Sequence, residues 1–280
     1  MSIALPCIAC AEPMQLHLNV GHFEIYRCPT CGLGQTMLPP NFDVSKIYDE
    51  SYFQGGQADG YADYQGSRNE LREEFRQVVR VLESAGHKSG RLLEIGCAYG
   101  FFLDEAARSF EVSGVELADH ARESCLARGL AVVSSVEHPN VRGAAPYDAV
   151  VMLDVIEHLP DPIQILRAVA QMMRPGGRIV LTTGDFGALS ARAMGSRWRL
   201  MTPPQHLWFF TVDALSLCLE AAGFKVENVS HPSKRVPLSL ILYQMGRMAG
   251  SRKGWRFNIK GSVPVNLFDA MRIVACRTDT

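Results

Sequence analysis

No stretch of the 280-residue chain is apolar for long enough to cross a bilayer. Met1 to Pro6 has neither the basic start nor the apolar run of an export signal, so the expected location is the cytoplasm. Net charge is also lacking. Lys and Arg number 28 against 29 Asp and Glu, a net charge of -1 and a pI near 6.7, so no overall field gathers nucleic acid. Segment 1–40 holds a single cation, Arg27. Nucleic acid is therefore an unexpected partner. Apolar residues are not scarce: at 47% they suffice for a substantial core, in one large domain or in one domain plus a small module.

Four of the eight cysteines stand in the first 31 residues, as Cys7-x2-Cys10 and Cys28-x2-Cys31 with seventeen residues between the pairs. Each knuckle offers two thiolates to one tetrahedral ion, which is the spacing of a zinc ribbon. Disulfides are the competing reading and are disfavoured in a reducing compartment. Four protein ligands would close the coordination sphere, so the expected zinc is structural. Cys97, Cys125, Cys218 and Cys276 are scattered and read as buried thiols.

The stretch that organises the chain is Arg91 to Asp104, R-L-L-E-I-G-C-A-Y-G-F-F-L-D. Leu92, Leu93 and Ile95 suit a buried parallel strand, and Gly96 to Gly100 turn the chain into a helix starting near Phe101. Glycines at 96 and 100 let a ligand approach the backbone at the helix N-terminus, and Glu94 is placed to bind a cationic amine. The dinucleotide fingerprint would need a further glycine that is missing. A second strand, Val112 to Val115, leads to Glu116, twenty residues after Gly96, a carboxylate placed to take both hydroxyls of a ribose.

These residues resemble the class I S-adenosylmethionine (SAM) dependent methyltransferases, whose first motif reads E-x-G-x-G-x-G; Ala98 stands at the middle glycine. The resemblance implies a Rossmann-like α/β domain with a seven-stranded, mostly parallel sheet, helices on both faces and an antiparallel last strand. It also implies SAM contacts from Glu94, Gly96, Ala98, Gly100, Glu116, Leu117, Val136 and Asp154. Further marks of the resemblance are V-I-E-H-L-P-D-P, from Val155 to Pro162, and the Arg174-Pro-Gly-Gly turn before a fifth strand at Arg178 to Thr182.

The expected organisation is a ribbon at 1–40, an aromatic-rich linker or lid at 41–66, and a catalytic domain at 67–280. Helices are expected from Ser67 to Gly86, Phe101 to about Phe110, Asp119 to Arg128, Pro162 to Met173 and Val212 to Ala222. Strands are expected at Leu130 to Val133, Tyr147 to Leu153, Phe224 to Val229 and Met271 to Arg277.

Gly184 to Phe210 is too long for an ordinary connection and should shape the acceptor site, with Arg192, Arg197 and Arg199 as polar contacts. Its P-P-Q-H-L-W-F-F-T resembles the E-H-x-x-Y-F motif of deoxysugar C-methyltransferases, with Gln205 at the glutamate. That likeness makes His206 the candidate general base, with His158 and Asp154 as further candidates; bonding of the two histidines to the loop backbone is the alternative.

From Ser230 to Phe268 there are seven Lys or Arg and no Asp or Glu. Leu238, Ile241, Leu242, Met245 and Met248 recur there at helical spacing. The pattern over 234–260 suits a membrane surface bearing a lipid-linked substrate, which would put the protein at the inner membrane face, or a site for a diphosphate; a helix packed on the sheet edge is the alternative. The functional expectation is methyl transfer to a small molecule, a sugar or glycan precursor. Alternatives are O-methylation of a quinone-like or aromatic acceptor, RNA modification, or a non-catalytic SAM-binding scaffold. The aromatic alternative would show a largely apolar pocket without the loop arginines.

Overall fold

The computed structural model describes residues 5–39, 42, 68–237, 242 and 262–279. It opens with an antiparallel meander of β1 (Gln15–Val20), β2 (Phe23–Arg27) and β3 (Gly34–Met37). Helix α1 (Arg68–Ser84) follows. Leu71, Phe75, Val78, Val79 and Leu82 repeat at three and four residues and are all buried, and Gly86, at φ 95°, ends the run.

Strands and helices then alternate: β4 (Arg91–Ile95), α2 (Phe101–Ala106), β5 (Glu111–Val115), α3 (Asp119–Ala127), β6 (Val132–Val133), α4 (Pro139–Gly143), β7 (Tyr147–Leu153), α5 (Pro162–Met172) and β8 (Met173–Gly184). The remaining elements are α6 (Leu189–Met194), β9 (Trp208–Phe209), α7 (Val212–Ala221), β10 (Phe224–Ser230), the hairpin β11 (Lys234–Pro237) and β12 (Ser262–Val265), and β13 (Ala270–Arg277).

The large sheet runs β10-β13-β8-β7-β4-β5-β6. Strands from β8 to β6 are parallel, and β13 lies antiparallel to both its neighbours. The expected Rossmann-like architecture is therefore present. Burial on both faces explains the unbroken apolar runs. Val150 and Met152 of β7 pack with Leu166, Leu215 and Leu219 on one side, while Ala149 and Val151 pack with Val78, Leu82 and Phe102 on the other.

Several details differ from the sequence reading. Helix α2 ends at Ala106, four residues early, and β6 is only a two-residue pair against β5. Helix α4 was not expected; it starts with Pro139 behind a His138 cap, a short local signal. The Arg-Pro-Gly-Gly turn is a bulge inside β8: pairing jumps from Tyr147 with Met173 to Ala149 with Arg178, and Gly176 takes φ 77° where the chain loops out. Most consequential, β9 pairs with β3, so a strand from the long loop completes the N-terminal sheet. Cys7, Cys28, Cys31 and Leu33 share one apolar cluster with Leu207, Trp208 and Phe210. Apart from Phe42, the expected lid at 41–66 lies outside the described residues, as do the Ser67 cap and most of the amphipathic helix of the basic insertion.

Candidate functional site

β4 is joined through α2 to β5 on one side and is flanked by β7 on the other, so the strand order reverses there and a crevice opens at the carboxyl ends. Gly96 holds φ 74°, and a Cβ on it would stand 2.4 Å from Val155 Cγ2. Gly100 holds φ 68°, with Leu130 Cδ1 at 2.7 Å from where its Cβ would be. Both need glycine for conformation and for space. Ala98 nevertheless adopts φ 45°. The amides of Gly96 and Cys97 both donate to Val115 O, at 2.8 and 3.0 Å. The turn is thus tied to β5 before any ligand arrives, and the amides left open are those at the uncapped start of α2.

Glu116 braces the same turn. Its Oε2 accepts from Ala98 N and its Oε1 from Ala118 N, each at 2.8 Å. Burial lifts its carboxyl above the ordinary range even though these amides pull the other way. Each oxygen keeps a second lone pair, which is what two ribose hydroxyls would use. Glu94 contrasts with it. It is 3% exposed, and its Oε2 is buried without a hydrogen-bond partner. Burial, followed by the nearby Cys125 and Glu116, pushes its carboxyl well above the usual range. A buried carboxyl in this state lacks a cationic donor, and the α-ammonium of SAM is one, so the residues fit the cofactor. Leu117 is exposed beside Glu116, Val136 is buried with Ile95 and Val115, and Tyr99 stacks on Phe101 with His120 at its edge. The last three aromatic rings gave no signal in the sequence.

Across the crevice, Asp154 follows β7 at φ 54°. Its amide donates to Thr182 O, and the Thr182 hydroxyl donates to Asp154 Oδ1, both at 3.0 Å. A 3-10 turn, Ile156–His158, then carries Glu157 and His158. His158 Nδ1 lies 2.9 Å from Gln205 O. A carbonyl only accepts, so Nδ1 carries a proton and donates it there. The His158 and His206 rings meet edge to face, centroids 4.8 Å apart. Burial, and then His158, pull His206 down to about 3. Without a ligand the buried ring at position 206 is held in its neutral form, and it packs edge to face on His158. One donor atom each from Glu157, His158 and His206 fall within 4.8 Å of one another, a set able to hold a divalent cation.

The long loop is clamped from two directions. Arg199 grips Asp269 with Nε and Nη2, both at 2.9 Å, and Trp198 Nε1 donates to the same carboxylate at 3.0 Å. Burial would raise Asp269, but Arg199 and Trp198 outweigh it and hold the group below the ordinary range. Arg192 and Arg197 are exposed. Arg199 is still close enough for its charge to weigh on His206, whose neighbours include Phe209. From the other direction, Thr36 Oγ1 donates to His206 O at 2.7 Å, Thr36 N donates to Leu207 O at 2.9 Å, and Thr211 Oγ1 donates to Cys31 O at 2.6 Å. Neither Asp269 nor Thr36 could be found by motif, because each acts across more than seventy residues or from outside the catalytic domain.

Cys7, Cys10, Cys28 and Cys31 converge: Sγ atoms of 7 and 31 lie 3.5 Å apart, those of 10 and 28 also 3.5 Å, and those of 10 and 31 3.7 Å. A tetrahedron with zinc–sulfur bonds of about 2.3 Å has edges of about 3.8 Å, so the cluster is of the right size and donor type for zinc.

A family model described as a methyltransferase domain matches residues 67–229. The ubiquinone biosynthesis O-methyltransferase of Xanthomonas axonopodis pv. citri is 33% identical over 176 residues, covering 58% of this chain and 72% of that protein. The protein of the same name from Aeromonas salmonicida is 30% identical over 163 residues, 53% and 68% of the two chains. Among solved structures, the magnesium protoporphyrin IX methyltransferase of Synechocystis PCC 6803 with bound S-adenosylhomocysteine superimposes with a TM-score of 0.55 at 13% identity, over 84% of this chain and all of that one. A SAM dependent methyltransferase of Archaeoglobus fulgidus gives 0.52 at 19% identity, over 84% and 100%. At these identities the two structures speak for the fold alone.

Proposed function

The chain belongs to the SAM-dependent methyltransferases, and from that premise we propose that it methylates the oxygen of a phenolic, quinone-like acceptor rather than a sugar carbon. The observation that carries this reading is the pairing of Arg199 with the buried Asp269, which commits that guanidinium to a contact within the fold, while Phe209, ring to ring 6.1 Å from His206, belongs to an apolar cluster with Phe186 and Trp198. The relatives named as O-methyltransferases lean the same way. A sugar acceptor would call for polar partners around the histidines.

In this reading Glu94 holds the ammonium of SAM and Glu116 its ribose, while Gly96, Ala98, Gly100, Leu117 and Val136 shape the cofactor's bed. The phenol oxygen attacks the sulfonium methyl in line; the carbon–sulfur bond breaks and leaves a neutral thioether. His158, oriented by the Gln205 carbonyl and backed by the neutral His206, takes the phenolic proton on Nε2. Asp154, held by Thr182, borders the reacting groups from the cofactor side. The cysteine cluster holds structural zinc and, through β3, fixes the backbone of 206–209. Because Glu157, His158 and His206 also suit a divalent cation, a second reading has that ion acidify the phenol in place of a base.

Purified protein incubated with SAM and either a dihydroxybenzoate or a nucleotide-linked deoxysugar tests the acceptor class. Mass spectrometry should find a methyl ether on a ring hydroxyl oxygen of the dihydroxybenzoate. Transfer to the sugar alone would discard the reading. Turnover in EDTA, with the zinc content of the protein followed in parallel, then separates base from cation: it persists if His158 is the base, and it stops while the cysteine-held zinc is retained if a second ion does the work.

A further inference from the structure

Helix α1 crosses the edge of the large sheet formed by β10 and β13, leaving a groove of about 510 Å³ lined among others by Gln77, Arg80, Ser84, Asn228 and Arg272. Arg272 sits between Met271 and Ile273, both fully buried, and is itself 7% exposed. Its Nε is buried without a hydrogen-bond partner, and it makes no ion pair among the described residues. The nearest negative influence on it is Glu74 of α1, acting through space. The carboxylate that does line the groove, Glu227, is held by Arg178 in a two-pronged pair at 2.9 and 3.1 Å. Arg80 already pairs with Glu73 at the surface.

A guanidinium that is nine-tenths buried without a counter-ion among the described residues is costly, and an oxyanion from outside would offset that cost. Its planar fork matches oxyanions in a bidentate way that Lys would not. Gln77 and Asn228 add side-chain amide donors on the two walls of the groove. The geometry points to a binding site for an oxyanion, a phosphoryl or carboxylate group borne by a small ligand, centred on Arg272 and distinct from the cofactor crevice. The inference does not depend on the acceptor reading. Arg272 is also the cross-strand partner of Thr182, whose hydroxyl holds Asp154, so the site abuts the floor of the crevice on the α1 face of the sheet.

Thermal unfolding of the full chain, at constant ionic strength with chloride exchanged for inorganic phosphate or for acetate, tests it. The wild type should rise in Tm and saturate, with half the effect below about 10 mM for the anion the site takes; the stronger arm separates phosphoryl from carboxylate. Arg272→Met should lose the response, keep SAM binding within about twofold, and be no less stable than the wild type in chloride, since the uncompensated charge is gone. Asn228→Ala, at an exposed position, should weaken the response at least about threefold without unfolding the chain. No saturable rise with either anion overturns the site, as does an unchanged response in Arg272→Met or Asn228→Ala. Arg272→Met melting below the wild type in chloride also overturns it, because the guanidinium would then be satisfied within the fold.

Discussion

The turn after β4 and the long loop after β8 both leave the carboxyl edge of one sheet, and they are held by different means. The first is fixed by its own neighbourhood: Gly96 and Cys97 bond to Val115, and Ala98 bonds to Glu116, all within twenty-one residues. The second is fixed from afar, by Asp269 seventy residues downstream and by Thr36 some 170 residues upstream. A cofactor cradle built from local backbone survives changes elsewhere in the chain. An acceptor loop held by remote groups can be re-aimed by altering them, which suits one fold to many acceptors.

That contrast can be broken most forcefully at Gly96. Alanine there must hold a left-handed φ at about 1–2 kcal/mol and displace Val155 as well, so SAM affinity should fall roughly a hundredfold by calorimetry. Replacing Cys10 with serine should do the reverse. If the four cysteines hold zinc, turnover should drop roughly thirtyfold as their sheet loosens, while the SAM Kd stays within about twofold. A parallel loss of SAM binding would show that the two regions are not independently held.

Glu94→Gln has two opposite effects. The folded carboxyl titrates above its unfolded value, so its contribution to stability is complete below about pH 4.3 and is lost as pH rises through the elevated folded pKa. Glutamine removes that loss: the unliganded variant should melt higher at neutral pH, with a flatter pH profile, while SAM binding weakens roughly tenfold for want of a charge-assisted bond. The mildest change is Thr36→Val, which deletes one hydrogen bond to the His206 carbonyl, worth about 1 kcal/mol. It should lower kcat about threefold to fivefold with SAM affinity unmoved, and Thr36→Ser should restore it.

The same division decides how far the sequence could be read. The strand–turn–helix around Gly96, the acid at 116 and the full extent of β7 follow from period, glycine position and spacing, all within a window of about thirty residues. The cysteine pairs were equally plain because their chemistry tolerates few spacings. His206 was singled out by a motif, yet its role turns on burial among His158 and Phe209, which no local pattern states. Arg199 reads as a substrate contact until Asp269 is brought beside it by β13. Strand β9 was invisible for a related reason: two residues carry no periodicity, and only the partner edge of β3 makes them a strand.

Pairing of Gln35 with Trp208 sets an order on biosynthesis. The ribosome releases β3 first, and the strand that pairs with it emerges some 170 residues later, roughly ten to thirty seconds at common elongation rates. The edge of β3 must therefore wait unfilled, and the backbone at 208–209 is fixed only when the two ends of that delay meet.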